Sequence, residues 1–220
     1  MNFMAIIRSL EEFVYEIVTW LVFYPRLFLQ VLLRPMSALA YARGEFGKPE
    51  DQRFDAALSP LLFLLLSLLI SHLAELAWRE TATDVAVMNS GVLSSDFNLV
   101  VFRSVLFAAF PLAFAVEEVA SARTPLARST LMATFYVQCL PAAVYALVVG
   151  LGFLVEQRPG GAAIGWSVVG AASLWYLAVQ TGWRRRDGRG WGRAVAVALG
   201  GFIAGWAAVI GVGLLLQAVG

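Results

Sequence analysis

The chain has 220 residues, 60% of them hydrophobic and only 14% charged, where an ordinary soluble domain has about 45–50% and about 25%. So few charges cannot cover a water-facing surface, which excludes a soluble globular fold and leaves lipid as the solvent. The net charge of +1 hides an asymmetry: every basic residue but Lys48 is Arg, and the arginines cluster between long apolar runs, which argues against a nucleic-acid partner.

The N-terminal segment is amphipathic. Between Arg8 and Arg34 its polar residues are Arg8, Glu11, Glu12, Glu16, Thr19, Arg26, Gln30 and Arg34. At about 100° per residue they fall on one side of a helix. The rest of the circumference is apolar, including Phe13, Val14, Ile17, Leu21 and Val31. A narrow polar stripe on a long apolar body describes a helix lying in the membrane surface, which Pro25 should kink or break midway. The rival reading, a sixth span over residues 13–33, would place Arg26 near mid-membrane at a cost of about 3 kcal/mol or more, so the surface reading is favoured. The first residues lack a basic lead and a small-residue cleavage site, so no cleaved signal is expected. Residues 34–55 form a polar linker, with Pro35 at the start of a short helix and a turn around Gly47 and Pro49.

Five segments of spanning length follow, at about 56–78, 99–116, 131–155, 162–183 and 194–219. The expected fold is therefore all-α: residues 1–55 as a cytoplasmic and interfacial segment, then a five-span membrane domain over 56–220. Thirteen basic residues lie on the N-terminal side of this layout, against Arg79 and Arg158 opposite, with Arg103 just inside the second span. The positive-inside rule then places the N-terminus in the cytoplasm and the C-terminus outside.

Few residues could carry chemistry. His72 and Glu75 share a face of the first span, and Arg103 enters the second span from the same side. Ionisable groups at such positions face protein or a water cavity. The three read either as a proton- or ligand-handling site or as a structural ion pair beside a histidine. Glu117 and Glu118 close the second span, where carboxylates oppose the helix dipole. They need compensation from an arginine such as Arg123, or from a bound cation or lipid amine. Arg184, Arg185 and Arg186 between Trp183 and Trp191 read as contacts to anionic headgroups. Pro111 and Pro141 lie inside spans, and Gln138 and Gln180 read as packing amides. The Gly201 and Gly205 pair has the spacing of a close helix contact, within the monomer or between copies of the chain.

No nucleophile elbow, HExxH, P-loop or dinucleotide fingerprint occurs, and one histidine makes no triad. Cys139 is the single cysteine and His72 the single histidine, so a disulfide and the common zinc and haem sites are unavailable. The chain is expected to be no enzyme and to hold no cofactor and no metal.

Around Arg34-Pro35, with Leu39 and Glu45 following, and then over Asp55-Ala-Ala-Leu-Ser-Pro60-Leu-Leu-Phe, the chain resembles the Yip1 family. The local likeness runs from about Leu32 to Leu73, and the layout is similar over the whole length. The resemblance implies a cytoplasmic N-terminal part with a proline-marked amphipathic stretch, a polar linker and five closely spaced spans. Eukaryotic members bind small prenylated GTPases in vesicle traffic; the cytoplasmic part here is short, so that property is not carried over. Bacterial relatives are described as permease-like, and the Arg-rich, Lys-poor composition fits a bacterial inner membrane. Two functions stand: a non-enzymatic organiser of membrane lipid or partner proteins, or a small transporter or channel subunit using polar residues of the first three spans. A polar, water-filled cavity would favour transport, and a dry, closely packed bundle the organiser.

Overall fold

The computed structural model describes residues 3–55, 57–78, 96–122, 125, 127–186 and 188–219. Ala56, Arg79 and Arg123, which entered the sequence reading, lie outside them. The described residues form seven α-helices: α1 Phe3–Leu33, α2 Pro35–Glu45, α3 Pro60–Trp78, α4 Asp96–Ser121, α5 Arg128–Glu156, α6 Ala162–Arg186 and α7 Trp191–Val219. One 3-10 turn, Glu50–Gln52, joins α2 to α3, and no strand occurs among the described residues. The fold is all-helical and polytopic, as the composition requires. Six of the helices are long and apolar enough to cross a membrane, the sixth being α1 over Ile7–Leu33.

The five expected spans correspond to α3 through α7, each helix running a few residues beyond the apolar stretch or starting within it. α1 is continuous through Pro25, so of the kink or break expected there the break does not occur. Pro25 has no N–H to offer the Leu21 carbonyl, but Tyr24, Leu27 and Val31 pack into the bundle and hold the turns on either side. α4 and α5 likewise run unbroken through Pro111 and Pro141, both buried.

α5 is the axis of the molecule. It packs against α3, α4 and α6, while α7 bridges α4 and α6, so α4, α5, α6 and α7 close into a ring. Short connections at 157–161 and 187–190 keep α5, α6 and α7 antiparallel neighbours. Gly160 and Gly188 supply left-handed turns there, at φ 77° and 80°.

Aromatic rings fill the centre of the ring. Tyr145 stacks on Tyr176 at 4.8 Å, and Phe110 stands edge-on to Tyr145, Tyr176 and Trp206. The Trp206 indole donates to the Tyr145 hydroxyl at 3.2 Å, which partners those two polar groups inside the bundle, while the Tyr176 hydroxyl is buried without a hydrogen bond among the described residues. α7 can approach α4 because Gly201 and Gly205 have no side chains: a Cβ on either would overlap the ring of Phe114 or Phe110. Their close-contact spacing is thus used within the chain. α3 sits outside the ring against α5, where Gly150 leaves room for the Ser71 hydroxyl.

α1 and α2 lie on the α5–α6 face. The Tyr24 hydroxyl meets Ser67 of α3 at 2.9 Å, and the Leu32 carbonyl accepts from the Trp175 indole of α6 at 3.2 Å. Since α5 lies between α3 and α6, α1 crosses this face obliquely. After α2, the buried Glu45 carboxylate accepts from Lys48 Nζ at 2.5 Å and from the Phe54 backbone N–H at 2.9 Å. That second bond helps hold Phe54 at φ 61°, a left-handed conformation a bulky residue rarely adopts. The Lys48 ammonium, then the Phe54 N–H, keep the Glu45 carboxyl below its usual range.

Candidate functional site

The most concentrated polar chemistry lies inside the ring, where the C-terminal ends of α4 and α6 meet. Arg184, in the last turn of α6, is 1% exposed. It lies one turn beyond Gln180 on the same helix face, so both project into the ring. Its Nε and Nη2 reach Glu117 Oε2 at 2.9 Å, Nη1 reaches Gln180 Oε1 at 2.8 Å, and Nη2 also donates to the Phe114 carbonyl at 3.2 Å. The guanidinium lies over the Phe114 ring, 4.8 Å from its centre. A planar fork with five donors can serve all these acceptors at once, which an ammonium cannot.

The network extends from both ends of this arginine. Gln180 Nε2 donates to Gln138 Oε1 at 2.8 Å, and Gln138 Nε2 to Glu118 Oε2 at 3.2 Å. Trp183 Nε1 donates to the same oxygen at 3.3 Å. Glu118 Oε1 is paired with Arg43 of α2, whose guanidinium also covers the Trp183 ring at 4.4 Å. Glu117 Oε1 takes Arg189 at 2.7 Å and the Ser121 hydroxyl at 2.6 Å. Both carboxylates at the end of α4 are therefore neutralised, which offsets their unfavourable position at a helix C-terminus. The compensating arginines are Arg184, Arg189 and Arg43; Arg123 lies outside the described residues.

This corrects the reading of the Arg184, Arg185 and Arg186 run as three headgroup contacts. Arg184 turns inward because Glu117 and the amide of Gln180 wait there. Arg185 remains exposed and stacks on Trp191 at 3.9 Å, and Arg186, also exposed, donates to the Met36 carbonyl at 3.0 Å. Gln138 and Gln180 do bond across helices, as packing amides should. Arg43 was missed, since nothing in its local sequence points to a helix 75 residues away. Arg184 left a signal that went unused, its four-residue spacing from Gln180.

At the opposite end of the molecule, Arg103 Nη1 of α4 meets Glu75 Oε2 of α3 at 2.5 Å, with the side chains 27% and 19% exposed. The expected pair is formed. His72 lies one turn deeper on α3, 2% exposed. Beyond the pair, Arg158 donates to the Trp78 carbonyl at 2.9 Å and covers its ring. Among the described residues, no three His, Cys, Asp or Glu side chains come together in a way that could hold a metal ion. In the inner network Glu117 is engaged by two guanidinium groups and the Ser121 hydroxyl, and Glu118 by Arg43, the Gln138 amide and the Trp183 indole, an arrangement that locks helices together.

No family model matches the chain, and no curated protein or solved structure matches it either.

Proposed function

We propose that this chain is a Yip1-like multi-pass membrane protein of a bacterial inner membrane, with no catalytic activity, that organises anionic lipid or partner proteins. The observation that carries this reading is the closed interior. An aromatic cluster fills the centre of the α4–α7 ring, and the polar groups at its end are spent on one another rather than facing a water-filled path. The transporter reading draws on the polar residues His72, Glu75 and Arg103, and on prolines such as Pro111 and Pro141, which can break a helix and expose a carbonyl for an ion. It loses support because α4 and α5 are unbroken through their prolines and Glu75 is held by Arg103.

The surface helix belongs to the same proposal. Trp20, Tyr24, Leu27 and Val31 make one face of α1, toward the bundle. Arg26 and Gln30 continue the polar stripe on a second, while Val14, Val18, Leu21 and Leu29 form a third that is exposed and apolar. At about 100° per residue the stripe and the exposed apolar face lie roughly 120° apart. That suits a helix resting beside the bundle with one side toward water and one toward hydrocarbon.

Reconstitution tests the function. Proteoliposomes should show no solute or proton flux above protein-free vesicles, and the purified chain should retain anionic lipid through several detergent exchanges. A flux that His72→Ala abolishes would instead favour the transporter. Reporter fusions should place residue 50 and the 187–190 loop in the cytoplasm and a reporter after Gly220 outside.

A further inference from the structure

We infer that the outward face of α4, between α5 and α7, is a binding groove for one phospholipid with an anionic headgroup. The inference rests on reading these helices as membrane-embedded, but not on the organiser role. Val105, Ala108, Ala109 and Leu112 follow a helical spacing that puts them on one face of α4. With Met132 of α5 and Ala208 of α7 they line a groove of about 600 Å³. The groove is open to the surface, and it has room because Ala108, Ala109 and Ala208 are small while the residues beside them include Leu, Met and Phe. Among the described residues, Arg128 is the one polar side chain in the lining.

Arg128 is the first residue of α5, at the end where the 122–127 connection ties α5 to the C-terminus of α4. By the charge asymmetry of the chain, this is the cytoplasmic boundary. The groove thus has an apolar body and a single cationic mouth at headgroup level. That charge pattern complements an acyl chain attached to a phosphate, and it disfavours an apolar protein helix, which would leave the guanidinium unmatched. An exposed guanidinium also gives bidentate bonds to phosphate oxygens. The occupant is therefore a phospholipid of the phosphatidylglycerol class, its tail over Ala108 and Ala109.

The test uses the full chain, with phosphatidylglycerol and phosphatidylcholine of identical acyl chains. Native mass spectrometry in detergent should show selective retention of phosphatidylglycerol. Arg128→Gln should lower that retention about fivefold while leaving phosphatidylcholine unchanged. Ala109→Trp, which fills the groove, should lower both. In vesicles, a phosphatidylglycerol with a diazirine on its tail should label 105–112 and 131–135 above the other exposed helix faces. Labelling spread evenly over all helices overturns the proposal, as does equal retention by Arg128→Gln. A loss seen only in an Arg185→Gln, Arg186→Gln double variant would refute the groove and leave headgroup contact at that surface standing. A chain that fails to partition with the vesicles would instead defeat the membrane reading itself.

Discussion

The two ends of the helix bundle handle charge in opposite ways. At one end Arg103 and Glu75 form an ion pair between α3 and α4, each side chain about one-quarter exposed. At the other, Arg184 is sealed inside the ring and bonded to a carboxylate, an amide and a backbone carbonyl on two helices. The outer pair can exchange its partner for water or headgroups. The inner arginine has no such substitute, so its acceptors must all be present for the helix ends to close. An ion pair at a rim fastens a hairpin, whereas a saturated buried network dictates how four helices meet.

The largest effect expected from breaking this contrast is at Glu117. Glu117→Gln leaves the Arg184 charge buried with only neutral acceptors, and removing one partner of a buried pair costs about 3–5 kcal/mol. Glu117 is 24% exposed and Arg189 can relax into solvent, so the lower end of that range is expected. Thermal unfolding in detergent reads the loss, and Arg184→Lys should not rescue it, since an ammonium cannot make the fork. A neutral Glu117→Gln would mean that the network is ornamental.

Next in size is the packing beneath the network. Gly201→Ala forces the Phe114 ring aside, and Phe114 also supplies a carbonyl to Arg184. Overpacking of this kind costs about 1–3 kcal/mol. Gly200 has open space around its Cα, so Gly200→Ala should stabilise by up to about 1 kcal/mol through helix propensity alone. Opposite signs at adjacent glycines are the expected result; equal effects would show that α7 is rotated from the position described.

The outer pair should respond less. Glu75→Gln and Arg103→Gln should each lower the unfolding temperature, with a coupling of about 1 kcal/mol in the double-mutant cycle, near the ceiling for exposed pairs and well under the buried range. Coupling as large as that at Glu117 would erase the distinction between the two ends. Strict additivity would remove the pair altogether.

The smallest effect concerns the linker and pH. The Glu45 carboxyl sits below its usual value in the folded chain, so its bonds to Lys48 and Phe54 add stability above the unfolded pKa and lose it as pH falls through the lower, folded one. Protection of the Phe54 amide against hydrogen exchange should fall as pH drops below the ordinary carboxylate range, so that its exchange slows less than the base-catalysed intrinsic rate does. Glu45→Gln should already show the weaker protection at neutral pH and lose the acid response. Exchange at Gln138 and Gln180, inside the network, should stay slow over the same window.

Much of this was legible in the chain itself. Spanning lengths, helical class and the need to neutralise Glu117 and Glu118 follow from composition, periodicity and the helix dipole, all of which act over a few turns. The Glu75 and Arg103 pair was legible too, because each lies near the end of its helix where α3 stops and α4 starts. Which arginine of three consecutive ones turns inward was legible only in the four-residue spacing of Arg184 from Gln180, which does not by itself say which way that face points. Successive residues differ by about 100° around α6, and the choice of Arg184 is made by Glu117, 67 residues away. The same holds for Arg43 on Glu118 and for Gly201 against Gly200, whose roles depend on where α2 and α4 come to rest. The sequence by itself determined the helices, their apolar faces and the charges requiring partners, because those are properties of local spacing. Only tertiary structure decided the partners, because a helix rotation of one residue exchanges a buried arginine for an exposed one.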